Sequence, residues 1–191
     1  MAEALTKVAA KTAAEICRKF DLSDEAKPLL KDGMAPQQFL AVLQEKRLHT
    51  DALRFLAQGL PKRESVFWAY ACAKQATAAG APEPVLKALA ATLKWVTDPS
   101  EANRRAIQPL YEAAGIGTPA GCAAAAAFWS GGSMAPEGLP EVPAPDNLCG
   151  HGSACAAMLA AAQGDPVKYA ERCSELLAKG VSVAAGKLKW T

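Results

Sequence analysis

Residues 62–79 read KRESVFWAYACAKQATAA, set between Pro61 and Gly80. From Val66 to Ala73 the run is apolar around the whole circumference of a helix. A helix with no polar face belongs at the centre of a bundle, buried on all sides. A second apolar run, Ala120–Trp129, is built largely of alanine. Small side chains let one helix approach another closely, so the second run is suited to pack against the first. Both runs fall well short of the ~20 apolar residues that cross a bilayer. No membrane insertion is expected.

The flanking sequence carries the same signature. Leu86, Leu89, Ala90, Leu93 and Val96 form one helical stripe, and Tyr169, Ala170, Cys173, Leu176 and Leu177 another. Phe39, Val42 and Leu43 begin a third, and Leu53, Leu56 and Leu60 a fourth. Pro36, Pro61, Pro84, Pro99, Pro119 and Pro166 stand where helices start, because proline costs little at the first helical position. Asp98, Thr118 and Asp165 read as caps just before three of them, with Glu101 placed to close a capping box. Gly80, Gly115, Gly131, Gly164 and Gly180 read as helix stops. The pattern predicts helices near 4–19, 24–31, 36–46, 50–59, 62–79, 84–96, 99–114, 119–130, 152–163 and 166–179, and a short one near 181–187. Pro28 and Pro109 fall inside this scheme and should kink their helices or move a boundary. No alternating pattern argues for a sheet, and no fixed period supports a regular solenoid. The expected fold class is all-α, an irregular multi-helix bundle or stacked helical hairpins.

Composition agrees. About half of the 191 residues are hydrophobic (51%), enough for a sizeable core. Alanine is frequent and aromatics are few (6%), a balance that favours helix. The formal net charge of +2 is spread along the chain, with no basic patch to serve as a nucleic-acid footprint. The N-terminus has charged residues throughout and lacks the apolar core of a signal peptide, so a cytoplasmic location is expected. Cys17, Cys72, Cys122, Cys149, Cys155 and Cys173 sit mostly in apolar helical contexts and read as reduced core thiols.

Residues 131–149 break the helical pattern. Ser130-Gly131-Gly132-Ser133 leads into Pro136, Pro140, Pro143 and Pro145. The segment should run extended over the surface, partly as polyproline II. It reads as a linker or as an ordered strap pinned by Met134, Leu139, Val142 and Leu148. The expected organisation is one domain over 1–191: a main bundle at 1–130, the strap at 131–150, and C-terminal helices at 151–191 folding back.

Few residues carry chemistry. Cys149, His151 and Cys155 have metal-ligand side chains, and Cys122 or Cys173 would complete a set of four. Their spacing matches no standard zinc module, and the ordinary reading is a glycine-rich helix start with incidental cysteines. Cys149 with His151 lacks an orienting carboxylate for nucleophilic chemistry. His49 reads as a polar turn residue. Gly115-Ile116-Gly117 and Ser130–Ser133 follow helices and lack the lysine of a phosphate loop. No catalytic residue and no cofactor are assigned. Arg104-Arg105 and Lys62-Arg63-Glu64 read as solvated charge, with Arg63 and Glu64 also candidates for an ion pair at the start of the buried helix; Glu64 is favoured there by the helix dipole. Trp68 reads as core, while Phe128 and Trp129, beside the glycine-rich exit, read first as core or strap contacts and otherwise as aromatic candidates for holding a partner.

Five segments resemble a known family: LLKDGMAPQQF at 29–39, ALRFLA at 52–57, LPKRESVFWA at 60–69, WVTDPSEANR at 95–104 and AFWSGGSMAPEGLPEVPAP at 127–145. They are similar to an uncharacterised bacterial family, the domain of unknown function numbered 6931, over about residues 22–183. The resemblance implies no enzymatic activity and no catalytic residue. Through its association with type VI secretion gene neighbourhoods it implies an adaptor, chaperone-like or accessory protein. The expected function is non-catalytic protein binding, the partner being a secreted effector or a component of the secretion apparatus. The alternatives are an immunity-type inhibitor of a toxin and a metal-binding protein using Cys149, His151 and Cys155.

Overall fold

The chain is described by a computed structural model covering residues 4–190. Its α-helices are α1 (Ala13–Cys17), α2 (Pro36–Glu45), α3 (His49–Gly59), α4 (Lys62–Ala76), α5 (Glu83–Thr97), α6 (Glu101–Ala106), α7 (Gln108–Ala114), α8 (Pro119–Phe128), α9 (Leu148–Ala162) and α10 (Tyr169–Ala184), with 3-10 turns at Lys27–Leu29 and Pro166–Lys168. Among the described residues there is no strand, only an isolated bridge between Ser133 and Pro143. The protein is all-α.

Helices α4, α8 and α9 pack on one another at the centre. Every residue of α8 is buried, and along α4 the run Ser65–Tyr70 is buried as its all-round apolarity requires. α3 and α10 cover one side of this centre, α5 and α7 the other, and α2 lies outside α3. The helix after the strap is therefore a central member of the core rather than a late addition to a finished bundle.

Trp68 is fully buried, and its indole N–H donates to the carbonyl oxygen of Leu176 on α10 at 2.9 Å. Gly180 lies one turn further along α10. A Cβ there would stand 2.5 Å from a Leu56 methyl and 2.8 Å from the Trp68 indole. Glycine is required at this site by close approach, so the residue expected to stop a helix instead lies within one. The predicted helices at 166–179 and 181–187 are consequently one, α10, followed by Gly186 at φ +73. Gly80, Gly115 and Gly164 do have positive φ, as helix stops should, whereas after α8 it is Gly132, not Gly131, that turns left-handed.

Other boundaries moved for identifiable reasons. The predicted helix at 4–19 is reduced to α1. Thr12 and the Lys11 N–H both donate to the Glu15 carboxylate and start the helix there, while the preceding chain runs across the end of α10, with the Lys7 N–H donating to the Ala184 oxygen. Pro28 limits 24–31 to one 3-10 turn. Pro109 accompanies the division of 99–114 into α6 and α7 at Ile107. The cap of α6 is Ser100, which accepts from the Asn103 N–H, and not Asp98, which accepts from the Asn103 side chain. Thr118 and Asp165 cap as expected. α9 starts at Leu148, four residues ahead of expectation. Its Gly150 and Gly152 lie within the helix at points of close approach, where a Cβ would meet the Gln58 side chain at 2.5 Å and the Ala126 Cβ at 3.0 Å.

Gly180→Ala should destabilise the fold by about 1–3 kcal/mol through overpacking, although alanine exceeds glycine in helix propensity by about 1 kcal/mol. Chemical denaturation of the two proteins measures this. A variant as stable as wild type would mean that α10 is free to move off Trp68.

Candidate functional site

Arg104 on α6 organises the segment between α8 and α9. Its side chain is only 3% exposed. Nε and Nη2 each donate to a carboxylate oxygen of Glu101 at 2.6 Å. Nη1 donates to the Phe128 carbonyl at 2.7 Å, and Nη2 also donates to the Ser133 carbonyl at 2.9 Å. The guanidinium lies over the Phe128 ring, 4.8 Å from its centroid. A buried cation is tolerable here because a carboxylate neutralises it and its donors are met by fixed acceptors. Arg105 adds a 2.9 Å bond to Glu101 and another to the Ala135 carbonyl. The hydrogen bond from Arg104 holds the Glu101 carboxyl down at about 2, with Arg105 acting in the same direction against desolvation. The expectation of a solvated Arg104-Arg105 face is thus overturned. Glu101, expected to close a capping box, serves both arginines instead.

These contacts make residues 130–147 an ordered strap. Gly132 passes the guanidinium at φ +61, where a Cβ would meet Nη2 at 2.7 Å. The Met134 N–H donates to the Val142 carbonyl at 2.7 Å, and the Ser133 hydroxyl accepts from the N–H groups of Ala135 and Val142. The two limbs are thereby pinched together at their feet. At the far end Asp146 pairs with Lys62 at 3.0 Å and Lys19 at 3.6 Å, and Asn147 donates to the Lys19 carbonyl while accepting from Gln58. The strap is therefore pinned by polar groups. Of its expected apolar pins, Met134 packs on the core and Leu148 begins α9, but Leu139 and Val142 are 59% and 48% exposed. Residues 136–143 are all exposed, and the charges among them are Glu137 and Glu141.

The other sequence candidates divide into three groups. Trp68 and Phe128 are buried and serve the core; Trp129 is half-buried, sharing an aromatic cluster with Tyr111 and Phe128. Arg63 and Glu64 do not pair with each other. Arg63 donates to the Val96 and Thr97 carbonyls at the end of α5 and lies 4.5 Å from the Trp190 ring, while Glu64 pairs with Lys7 at 3.6 Å. Cys149, His151 and Cys155 all lie on α9 but do not converge. Cys149 is buried near the Lys62 carbonyl, His151 is exposed beside Asn147, and Cys155 meets Cys122. Among the described residues no three His, Cys, Asp or Glu side chains are grouped to hold a metal ion. His49 opens α3, and burial lowers its pKa.

A sequence clue to Arg104 exists in Glu101, three and four positions before the two arginines, which puts all three on one helical face. Nothing local reveals the other acceptors, which are backbone carbonyls 24 and 29 positions away.

Arg104→Met should cost about 2–4 kcal/mol, since the carbonyls of Phe128 and Ser133 lose a charged donor. It should also speed proteolytic cutting within 136–143; unchanged cutting would show that the strap is held by other means. Glu101 contributes pH dependence of a defined sign. Its folded pKa is depressed from 4.5 to about 2, so its contribution is present above pH 4.5 and is lost as pH falls toward 2. The stability gap between wild type and Glu101→Gln should therefore narrow across that window. A gap that stays constant in acid titrations would contradict the assignment.

No curated protein and no solved structure matches the chain. A family model described as "Family of unknown function (DUF6931)" matches residues 39–184. The span runs from within α2 to the end of α10 and takes in Arg104, its acceptors and the whole strap. The chain belongs to the DUF6931 family.

Proposed function

We propose that the protein is a non-catalytic binding module whose docking element is the strap. The observation that carries this reading is the presence of Leu139 and Val142, two large apolar side chains open to water, on a loop whose feet are tied to a buried arginine. A loop already ordered before binding loses less conformational freedom when a partner seats on it. Exposed apolar side chains on such a loop are suited to fill a partner's pocket. Burying one of them fully contributes about 1.5–3 kcal/mol.

The strap also defines the partner's chemistry. Its exposed stretch carries Glu137 and Glu141 and no lysine or arginine. The complementary surface is an apolar pocket bordered by basic side chains. The partner is a protein, either a secreted effector or a component of a secretion apparatus, and the module acts as an adaptor or chaperone-like accessory protein of a bacterial type VI system. The secretion setting is supported by the family resemblance, and the docking role by the strap.

Binding of this chain to each protein encoded beside its gene, measured by titration calorimetry, tests the reading. One neighbour should bind. Leu139→Ser combined with Val142→Ser should weaken that complex at least about tenfold, which is ~1.4 kcal/mol, with an unchanged unfolding midpoint. Failure of every neighbour to bind, or equal binding by the double variant, would reject the strap as the docking element. If the bound neighbour is a toxin that co-expression neutralises, the protein is an inhibitor rather than an adaptor.

A further inference from the structure

Cys122 on α8 and Cys155 on α9 bring their sulfurs within 3.2 Å of each other. One turn along the same seam Gly152 faces Ala126, where a Cβ on the glycine would lie 3.0 Å from the alanine Cβ. With 122 opposite 155 and 126 opposite 152, the helices run antiparallel, and backbone contact fixes how close they come. A disulfide holds its sulfurs about 2.05 Å apart, so about 1 Å of movement would join this pair. Among the described residues no other two cysteine sulfurs are in contact.

The two thiols are not equivalent. Cys122 is 3% exposed, whereas Cys155 is partly exposed. Cys122 has one proton, and its sulfur lies 2.9 Å from the Ile116 carbonyl oxygen. A negative charge on Cys122 would face that oxygen, so Cys122 keeps its proton, shared between the Ile116 oxygen and the Cys155 sulfur, and of the two sulfurs it is Cys155 that takes the charge. The hydrogen bond from Cys122 lowers the Cys155 pKa, while that of Cys122 rises. The thiols of Cys72 and Cys149 are pushed up to about 12 by burial, and that of Cys17 to about 11 by burial and then by Asp51. A thiolate is the reactive form, which separates Cys155 from these three.

We propose that Cys122 and Cys155 form a redox-active dithiol that accepts low-molecular-weight disulfides as its oxidising substrate and closes to a bridge between α8 and α9. The Cys155 thiolate attacks one sulfur of the substrate. The substrate S–S bond breaks, and its other half leaves as a thiolate with the bonding pair. Cys122 then releases its proton, and its sulfur attacks Cys155 in the mixed disulfide, expelling the second half as a thiolate. The protons given up by Cys155 and Cys122 end on the two leaving groups. Two cysteine thiols are oxidised and one disulfide is reduced to two thiols. The bridge would enclose the strap, since residues 130–147 lie between the two cysteines. The dithiol is independent of the docking role and stands or falls without it.

The test treats the reduced full chain with oxidised glutathione, quenches samples with iodoacetamide, and maps peptides without reduction. A cross-linked peptide joining Cys122 to Cys155 is expected. The first step at Cys155 should be about tenfold or more faster than modification of Cys17, the other partly exposed cysteine. Cys122→Ser should accumulate glutathione on Cys155, and Cys155→Ser should form no bridge. Modification of Cys155 no faster than Cys17 in the wild-type chain would overturn the proposal, as would absence of the bridge while other cysteines react. The wild-type comparison holds whether or not either variant folds.

Discussion

Close approach of backbones is the constraint from which the architecture follows. α8 is a rod of small side chains buried along its whole length, and α9 meets it with Gly152 against Ala126. α10 meets α4 in a similar way, with Gly180 against the indole of Trp68. Contacts of this kind exclude any added methyl group, and they leave little freedom in how the helices are spaced. Dispersion between such surfaces is weak per atom pair but is summed over the length of each seam. The bulky residues of the core, Phe39, Phe55 and Leu53 among them, fill the space around this tight centre.

The chain leaving α8 must travel to the start of α9 without entering that centre, and the strap is how it does so. A long proline- and glycine-rich excursion has no helical hydrogen bonds of its own, so its feet need partners from elsewhere. Arg104 provides them by reaching the Phe128 carbonyl at the end of α8 and the Ser133 carbonyl on the outgoing limb, while Glu101 balances its charge. With this polar anchoring, and with Met134 packed on the core, Leu139 and Val142 have no duty to the core. That explains why Leu139 and Val142 face water in a protein whose other large apolar side chains are mostly covered.

The parts of this arrangement that depend on period and punctuation were legible in the sequence. The helices at α2, α3, α4, α5 and α8 follow directly from their stripes and prolines. So does the extended character of residues 131–147, although Leu148 and Cys149, expected in the strap, open α9 instead. What could not be read is what depends on a neighbour distant in sequence. Gly180 looks like a helix stop until Trp68 is placed beside it, and the reason for glycine at positions 150 and 152 appears only once Gln58 and Ala126 are in place. Arg104 looks solvated until the Phe128 and Ser133 carbonyls arrive. Cys122 and Cys155, separated by 33 positions, become a pair only through the α8–α9 seam. In each case local propensity gives way to tertiary packing, which routinely outweighs it. Cys149 and His151 show the reverse. They are neighbours in the sequence and diverge in space, because residues two apart on a helix do not share a face.

The pinched feet of the strap separate two kinds of position with different evolutionary freedom. Gly132, Ser133 and Arg104 fit one another atom by atom, so a change at one requires a change at the others. Beyond the pinch made by Ser133, Met134 and Val142, residues 136–141 are exposed. The tip can lengthen, shorten or exchange side chains while the helices beneath it stay as they are. If the strap docks a partner as proposed, a scaffold of this form would let specificity change by rewriting one loop, as other rigid frameworks do with the loops they carry.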